Sequence, residues 1–172
     1  MKNKNSIFSC GLVYLLTCIS SFANVFNHPT ALNDIDIPSL NSINCKFKQE
    51  KIIKTSNIVL KSSGDFRFDK GKGITFYTVY PIKSVNSYTT KEYKQINNIV
   101  SAISNKSYSR LEKDFKFFYE KNGTNWTLGL MPKAETQAYN YLKSIEVAGN
   151  KTMIIKIVIL PVDLNKTTIW FE

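Results

Sequence analysis

The sequence predicts a mainly β domain: a meandering antiparallel sheet of roughly eight to ten short strands, with a few helices. Three observations predict it. Apolar and polar residues alternate over many short segments, as in Phe115-Lys116-Phe117 and Trp126-Thr127-Leu128-Gly129-Leu130, which is the period of a strand with one wet face. Gly, Asn and Asp turn signals separate those segments at short intervals. Between Tyr88 and Phe115 the period changes to the three-and-four spacing of an amphipathic helix. At 172 residues, with 43% hydrophobic and 13% aromatic residues, the chain is long and apolar enough to bury one core.

Residues 1–23 read as a secretory leader. Lys2 and Lys4 supply its charged end, and Ile7 through Ile19 is an apolar stretch too short to span a bilayer. Ser21-Phe22-Ala23 puts small residues at the positions a signal peptidase needs, so the folded domain is expected over 24–172. A second reading is open: Leu15-Leu16-Thr17-Cys18 sits where a lipidation motif would sit, and lipidated Cys18 would anchor the chain. Cys10 and Cys18 belong to the leader. Cys45 then remains alone, without a disulfide partner, and reads as a small core residue.

The domain begins loosely. Pro29 and Pro38 bracket a weak helical stretch, and Ser39 to Asn44 suggest a turn of helix. From Cys45 the pattern is a strand, with Cys45, Phe47 and Ile53 on one parity and Lys46, Lys48 and Glu50 on the other. Ile58 to Lys61 predicts a second strand, Ser62-Ser63-Gly64 a turn, and Asp65 to Asp69 a third strand. Lys70-Gly71-Lys72-Gly73 is a hairpin turn into Ile74–Tyr80, which Pro81 ends; a further short strand runs towards Tyr88.

Thr90 is an acceptable N-cap, with Glu92 in the first turn. Tyr93, Ile96, Ile99, Val100 and Ile103 then form one apolar stripe, and Tyr108 to Lys113 a second short helical piece. Asn122-Gly123 predicts a tight hairpin between the Phe115 and Trp126 segments. Ala134 to Leu142 predicts a short helix. Ser144 to Ala148, Thr152 to Leu160 and Thr167 to Phe171 predict the last strands, with turns at Gly149-Asn150 and Asp163-Leu164-Asn165.

Catalytic chemistry finds little support. His28 is the only histidine and lies in the loose N-terminal part, so a base–nucleophile pair is not expected. Metal-ligand spacing is absent from the pattern, and carboxylate pairs such as Asp65 and Asp69 read as surface charge. The formal charge is +10, or +8 without Lys2 and Lys4. Lysines interleaved with aromatics suit single-stranded nucleic acid, but they are scattered, and an exported protein meets anionic head groups instead. No enzyme, no cofactor, no metal and no nucleic-acid partner are expected.

One spaced pattern goes further. It runs Phe47-x-Gln49, Ser63-Gly64, then Lys72-Gly73-Ile74-Thr75-Phe76-Tyr77-Thr78 and Pro81. Trp126-Thr127-Leu128-Gly129-Leu130-Met131-Pro132-Lys133, Ile145-x-Val147-x-Gly149 and Thr167-Thr168-Ile169-x-Phe171 follow in order. Over about residues 45–171 this resembles the LolA-like branch of the periplasmic lipoprotein-carrier family. The resemblance implies an incomplete antiparallel β-barrel, a half-barrel, whose concave face is closed by a helical lid. It implies a periplasmic carrier in a Gram-negative bacterium that shields the acyl chains of a lipoprotein or another envelope lipid; a monomer is expected. Such a carrier receives its cargo from an inner-membrane donor machine and yields it to an outer-membrane acceptor. With Cys18 lipidated, the expectation becomes an anchored LolB-like acceptor; a structural or protein-binding envelope module is the reading from another class. Where the main branch of the family has an Arg–Pro pair before the Gly-Ile strand, its arginine helping to hold the lid, this chain has Lys70-Gly71-Lys72-Gly73; Phe76 stands in place of the usual tryptophan. The expected cavity lining is Phe47, Phe66, Phe76, Trp126, Leu128, Leu130, Ile157 and Ile169 on strands, with Ile96 and Val100 on the lid. Plain core packing is the alternative for each of them.

Overall fold

The computed structural model describes residues 24–40, 42–87 and 91–172, with side chains in the long helix described from Lys94 onward. The expected leader with Cys10 and Cys18, the expected cap Thr90 and the side chains of Glu92 and Tyr93 lie outside the described residues. The strands are β1 (Ile43–Ile53), β2 (Ile58–Asp69), β3 (Gly73–Tyr80), β4 (Ser84–Ser87), β5 (Phe115–Asn122), β6 (Asn125–Pro132), β7 (Leu142–Gly149), β8 (Ile154–Pro161) and β9 (Thr167–Phe171). Helices α1 (Lys91–Ser104) and α2 (Ser109–Glu112) separate β4 from β5.

Among the described residues nine strands form one open antiparallel sheet in the order β4-β3-β2-β1-β9-β8-β7-β6-β5. The chain therefore makes two meanders, and the return of β9 beside β1 joins them at mid-sheet. Alternation sorts the faces. The buried residues Ile169, Ile157, Val147 and Leu128 are successive cross-strand partners on β9, β8, β7 and β6. A flat sheet would place β3 and β5 about 34 Å apart, at roughly 4.8 Å per strand. Yet residues of both belong to one buried cluster with the stripe of α1, so the sheet bends around the helix.

Glycine helps that bend. The Ser62-Ser63-Gly64 segment, expected as a turn, instead runs through the middle of a continuous β2. Gly64 faces Thr78 while Ser63 faces Tyr80, so Val79 is an extra residue of β3, a bulge. A Cβ on Gly64 would lie 2.0 Å from the Tyr77 carbonyl oxygen and 2.9 Å from the Thr78 Cα. The glycine is there because another backbone crosses close by, and a turn signal read from sequence cannot distinguish the two causes.

Other expectations also shift. The turn of helix expected over Ser39 to Asn44 is not present in its described residues, since β1 already begins at Ile43, and Asn41 lies outside them. Between Pro29 and Pro38 the helical part is a single 3-10 turn, Leu32–Asp34. Ala134 to Leu142 yields a 3-10 turn, Gln137–Asn140, because Leu142 is claimed by the β7 ladder. The Asn122-Gly123 hairpin is displaced by one residue, with Asn122 paired to Asn125 across Gly123-Thr124. The N-terminal segment is not loose. Val25 is buried, the Tyr119 amide donates to the His28 carbonyl and the Thr30 amide to that of Phe117.

Gly64→Ala is expected to lower stability by about 1–3 kcal/mol, the cost of forcing atoms into filled space. Gly71→Ala, whose new methyl would meet nothing within 4 Å, should stay within about 0.5 kcal/mol. Urea unfolding midpoints at equal slope measure both, and equal effects would contradict the close crossing at Gly64.

Candidate functional site

Among the described residues the only long helix, α1, lies in the hollow of the sheet. In α1, Ile96, Ile99, Val100 and Ile103 are all buried, on the single stripe that their spacing dictates. The helix touches β3 and β4 and leads into α2, which packs on β5, so it bridges the two edges. Two polar bonds hold it, one at mid-helix and one at its C-terminal end: the Ile74 amide donates to Asn97 Oδ1 at 3.1 Å, and Ser39 Oγ donates to the Ser104 carbonyl at 3.1 Å. Past the helix, the Tyr108 ring meets Phe117 edge-on at 6.4 Å.

All ten expected lining residues converge in this one core, each buried. They do not line it alike. Phe47, Phe66 and Phe76 fill the β1–β3 side by packing on one another and on Phe171, with ring centroids 4.6 to 4.9 Å apart. Trp126 lies over Gly149, where a Cβ would come within 2.3 Å of its ring, and its Nε1–H donates to the Asn150 carbonyl at 2.8 Å. Leu128, Leu130 and Val100 are likewise packed. Of the ten, Ile96 and Ile157 border open space.

That space is a cavity of about 220 Å³ between α1 and the β7–β9 part of the sheet. Ile96 and Ile99 form its helix side, and Ile145, Ile157, Ile159 and Pro161 its sheet side. Gln49, Lys51, Gln95, Asp163 and Asn165 make its polar mouth. A wider cleft of about 770 Å³ flanks the helix, with Asn98, Ser101, Arg110, Asp114 and Tyr141 among its lining. The two spaces share Gln95 and Ile99, so they adjoin at one turn of α1.

The far end is filled by the chain before β1. Ile37 and Leu40 are buried in the core, while Asp36 binds Lys121 through its carboxylate and receives the Tyr119 hydroxyl on its carbonyl at 2.6 Å. Lys121 holds the Asp36 carboxyl below its ordinary value. Cys45 is half-buried against the core rather than sealed within it. Burial pushes its thiol up, opposed by a hydrogen bond with the Glu172 backbone. The buried hydroxyls Ser104 Oγ and Tyr108 OH lack hydrogen-bond partners among the described residues. Burial raises the Tyr108 hydroxyl to about 12.

Ile99, Ile145, Ile159 and Pro161 were missing from the expected lining. Ile99 was legible on the helical stripe and Ile145 and Ile159 on their strand alternation, but alternation does not say which inward residue borders a void. Asn97 carried no signal, because its role depends on where the Ile74 amide comes to lie. Among the described residues no group of three His, Cys, Asp or Glu side chains could hold a metal ion, and no helix is long and apolar enough to cross a membrane. No protein-family model matches this chain, and no curated protein sequence matches it.

Tyr108→Phe removes a buried hydroxyl that has no partner, so stability at pH 7 should be unchanged or higher. The variant should also flatten the alkaline loss. Folding raises the Tyr108 pKa from 10.0 to about 12, so the folded state holds that proton more tightly than the unfolded chain does. Its contribution is complete below pH 10 and is lost as pH rises to about 12. Unfolding free energies of parent and variant at pH 7, 10, 11 and 12 check the difference.

Proposed function

We propose that this chain is an exported, LolA-like carrier that shields acyl chains of a lipoprotein or another envelope lipid beneath α1, within a half-barrel. One observation carries the reading: a cavity with isoleucine walls and a polar mouth remains between the concave face of the sheet and α1. The spaced pattern from Phe47 to Phe171 supports it independently. The leader expected from the sequence supports a periplasmic carrier working between an inner-membrane donor and an outer-membrane acceptor.

Physical chemistry defines the task. About fifteen methylenes cost roughly 12 kcal/mol to hold in water at ~0.8 kcal/mol each, so unaided transfer is negligible. The cavity of about 220 Å³ falls below the ~300–1,000 Å³ typical of ligand sites. Cargo therefore enters by displacing α1. The four stripe residues contribute ~6–12 kcal/mol if each buried side chain is worth about 1.5–3. Acyl methylenes taking over the same surface offset that loss, so the exchange is close to balanced. Asn97–Ile74 is then the polar catch, in the place of the arginine used by the main branch of the family.

Protein purified from expressing cells should release lipid on extraction with organic solvent, detected by mass spectrometry. It should also bind an environment-sensitive fluorescent fatty acid. Ile159→Trp, which fills the cavity from a partly buried position, is expected to weaken the probe at least tenfold with little loss of fold. Asn97→Ala should speed uptake severalfold. A structural module with a filled core is the competing reading, and the burial of all ten lining residues favours it in the closed state. Absence of lipid, with no probe uptake by the parent or by Asn97→Ala, would decide for that module.

A further inference from the structure

The exposed large apolar residues are not spread evenly. Register places the end of β1, the start of β2, the end of β8 and the start of β9 at one end of the sheet, since Lys51 faces both Leu60 and Thr167, and Thr167 faces Ile159. The cavity opens at this end, between Lys51, Pro161, Asp163 and Asn165. Around it stand Ile58 and Leu60 of β2, Tyr80 and Ile82 of the β3–β4 corner, and Val162 and Leu164 of the β8–β9 loop, all exposed. Ile82 is 76% exposed and Tyr80 58%. Tyr139 and Tyr141, at the 3-10 turn before β7, extend the same rim. At the opposite end Phe68, Ile74 and Trp126 are buried, and Ile155 is exposed at 38%.

Charge follows the same asymmetry. Segments 50–61, 81–83, 133–143 and 161–166 form this rim and hold seven lysines against three acids. Only Lys61 among those lysines joins an ion pair among the described residues, with Glu50 at 3.1 Å. Apolar and tyrosine side chains interspersed with lysines are the composition of a surface that sits in a bilayer interface, its rings and aliphatics among the head groups and its cations on anionic lipid. A large exposed apolar rim on a soluble fold is otherwise a liability.

We infer that the open end of the sheet, from the β1–β2 hairpin to the β8–β9 loop, is a docking face for an anionic lipid bilayer. The hairpin is its leading edge. Ile53, Ile58 and Leu60 share the concave parity, while Ile52 and Val59 face the other way, so both faces of the tip present aliphatic surface. Lys54 follows at the turn and Lys83 at the neighbouring corner. Docking requires no cargo and no movement of α1, and so stands apart from the carrier reading.

The test is sedimentation with vesicles of phosphatidylglycerol and phosphatidylethanolamine, and with vesicles of phosphatidylcholine alone. The parent should partition at least tenfold more strongly to the anionic vesicles, and binding should weaken severalfold from low to 0.5 M salt, as charge screening demands (about 3 Å at 1 M). Ile58→Asp with Leu60→Asp should reduce anionic binding at least tenfold, and Lys54→Glu with Lys83→Glu at least fivefold. These side chains are exposed, so thermal unfolding should change little. Variants and parent carry the same N-terminus, and a difference between them belongs to the rim. Equal binding by parent and rim variants would overturn the assignment, as would failure of the parent to bind anionic vesicles. So would self-association through the same residues in sedimentation without lipid.

Discussion

The fold depends on one contact, the apolar stripe of α1 against the concave face of the sheet. Nine strands with a single buried face leave more apolar surface than the sheet can cover by itself, because it does not close. Ile96, Ile99, Val100 and Ile103 supply the cover. At about 1.5–3 kcal/mol per buried side chain, their contribution rivals the ~5–15 kcal/mol by which a whole domain is normally stable. Bending, the position of the cavity and the burial of the phenylalanine cluster all follow from wrapping the strands around that helix.

The sheet is nevertheless built to survive without help from α1 at its edges. Open edges invite pairing with other chains. Here the β5 edge is taken by the chain's own N-terminal segment, through the His28 and Thr30 backbone bonds, while Phe26 meets Phe118 edge-on at 5.4 Å and packs with Val25 over Gly129. The other edge is β4, only four residues long. Between them, β9 ties the two meanders at the centre. Covering the hollow and protecting the edges are thus assigned to different parts of the chain, and a movement of the helix exposes no long strand edge.

Much of this was legible because periodicity reports burial directly. Alternation put Phe47 and Phe66 on one face of their strands, the family resemblance offered them with Phe76, Leu128 and Ile157 as lining of the hollow, and the stripe predicted α1. What escaped detection depended on long-range geometry. Gly64 has the local look of a turn, and only the crossing of β3 explains it. The weak pattern of residues 24–44 concealed an edge cover, since its hydrogen bonds run to β5, far away in sequence. Which inward residues pack and which border a void is a question of curvature. The phenylalanines meet one another on one side, whereas Ile145, Ile157 and Ile159 face a gap on the other.

If the chain is the carrier proposed above, that division of the interior bears on how a cover can be both tight and removable. A hollow plugged throughout by its own strands would offer a guest nothing, and one left wide open would expose apolar surface whenever empty. Here the strands fill the β1–β3 side with aromatic rings, and over β7–β9 the helix caps what they leave. The polar catch between Asn97 and Ile74 joins an amide oxygen to a backbone amide. A neutral bond of that kind is worth about 0.5–1.5 kcal/mol net, against roughly 1.5–3 for one to a charged group. Specific polar bonds therefore set the position of the helix while apolar contacts supply most of its hold, and apolar contacts are the kind that a hydrocarbon chain can replace one for one. A cover held chiefly by a catch of ion pairs would have to break bonds that such a guest cannot return.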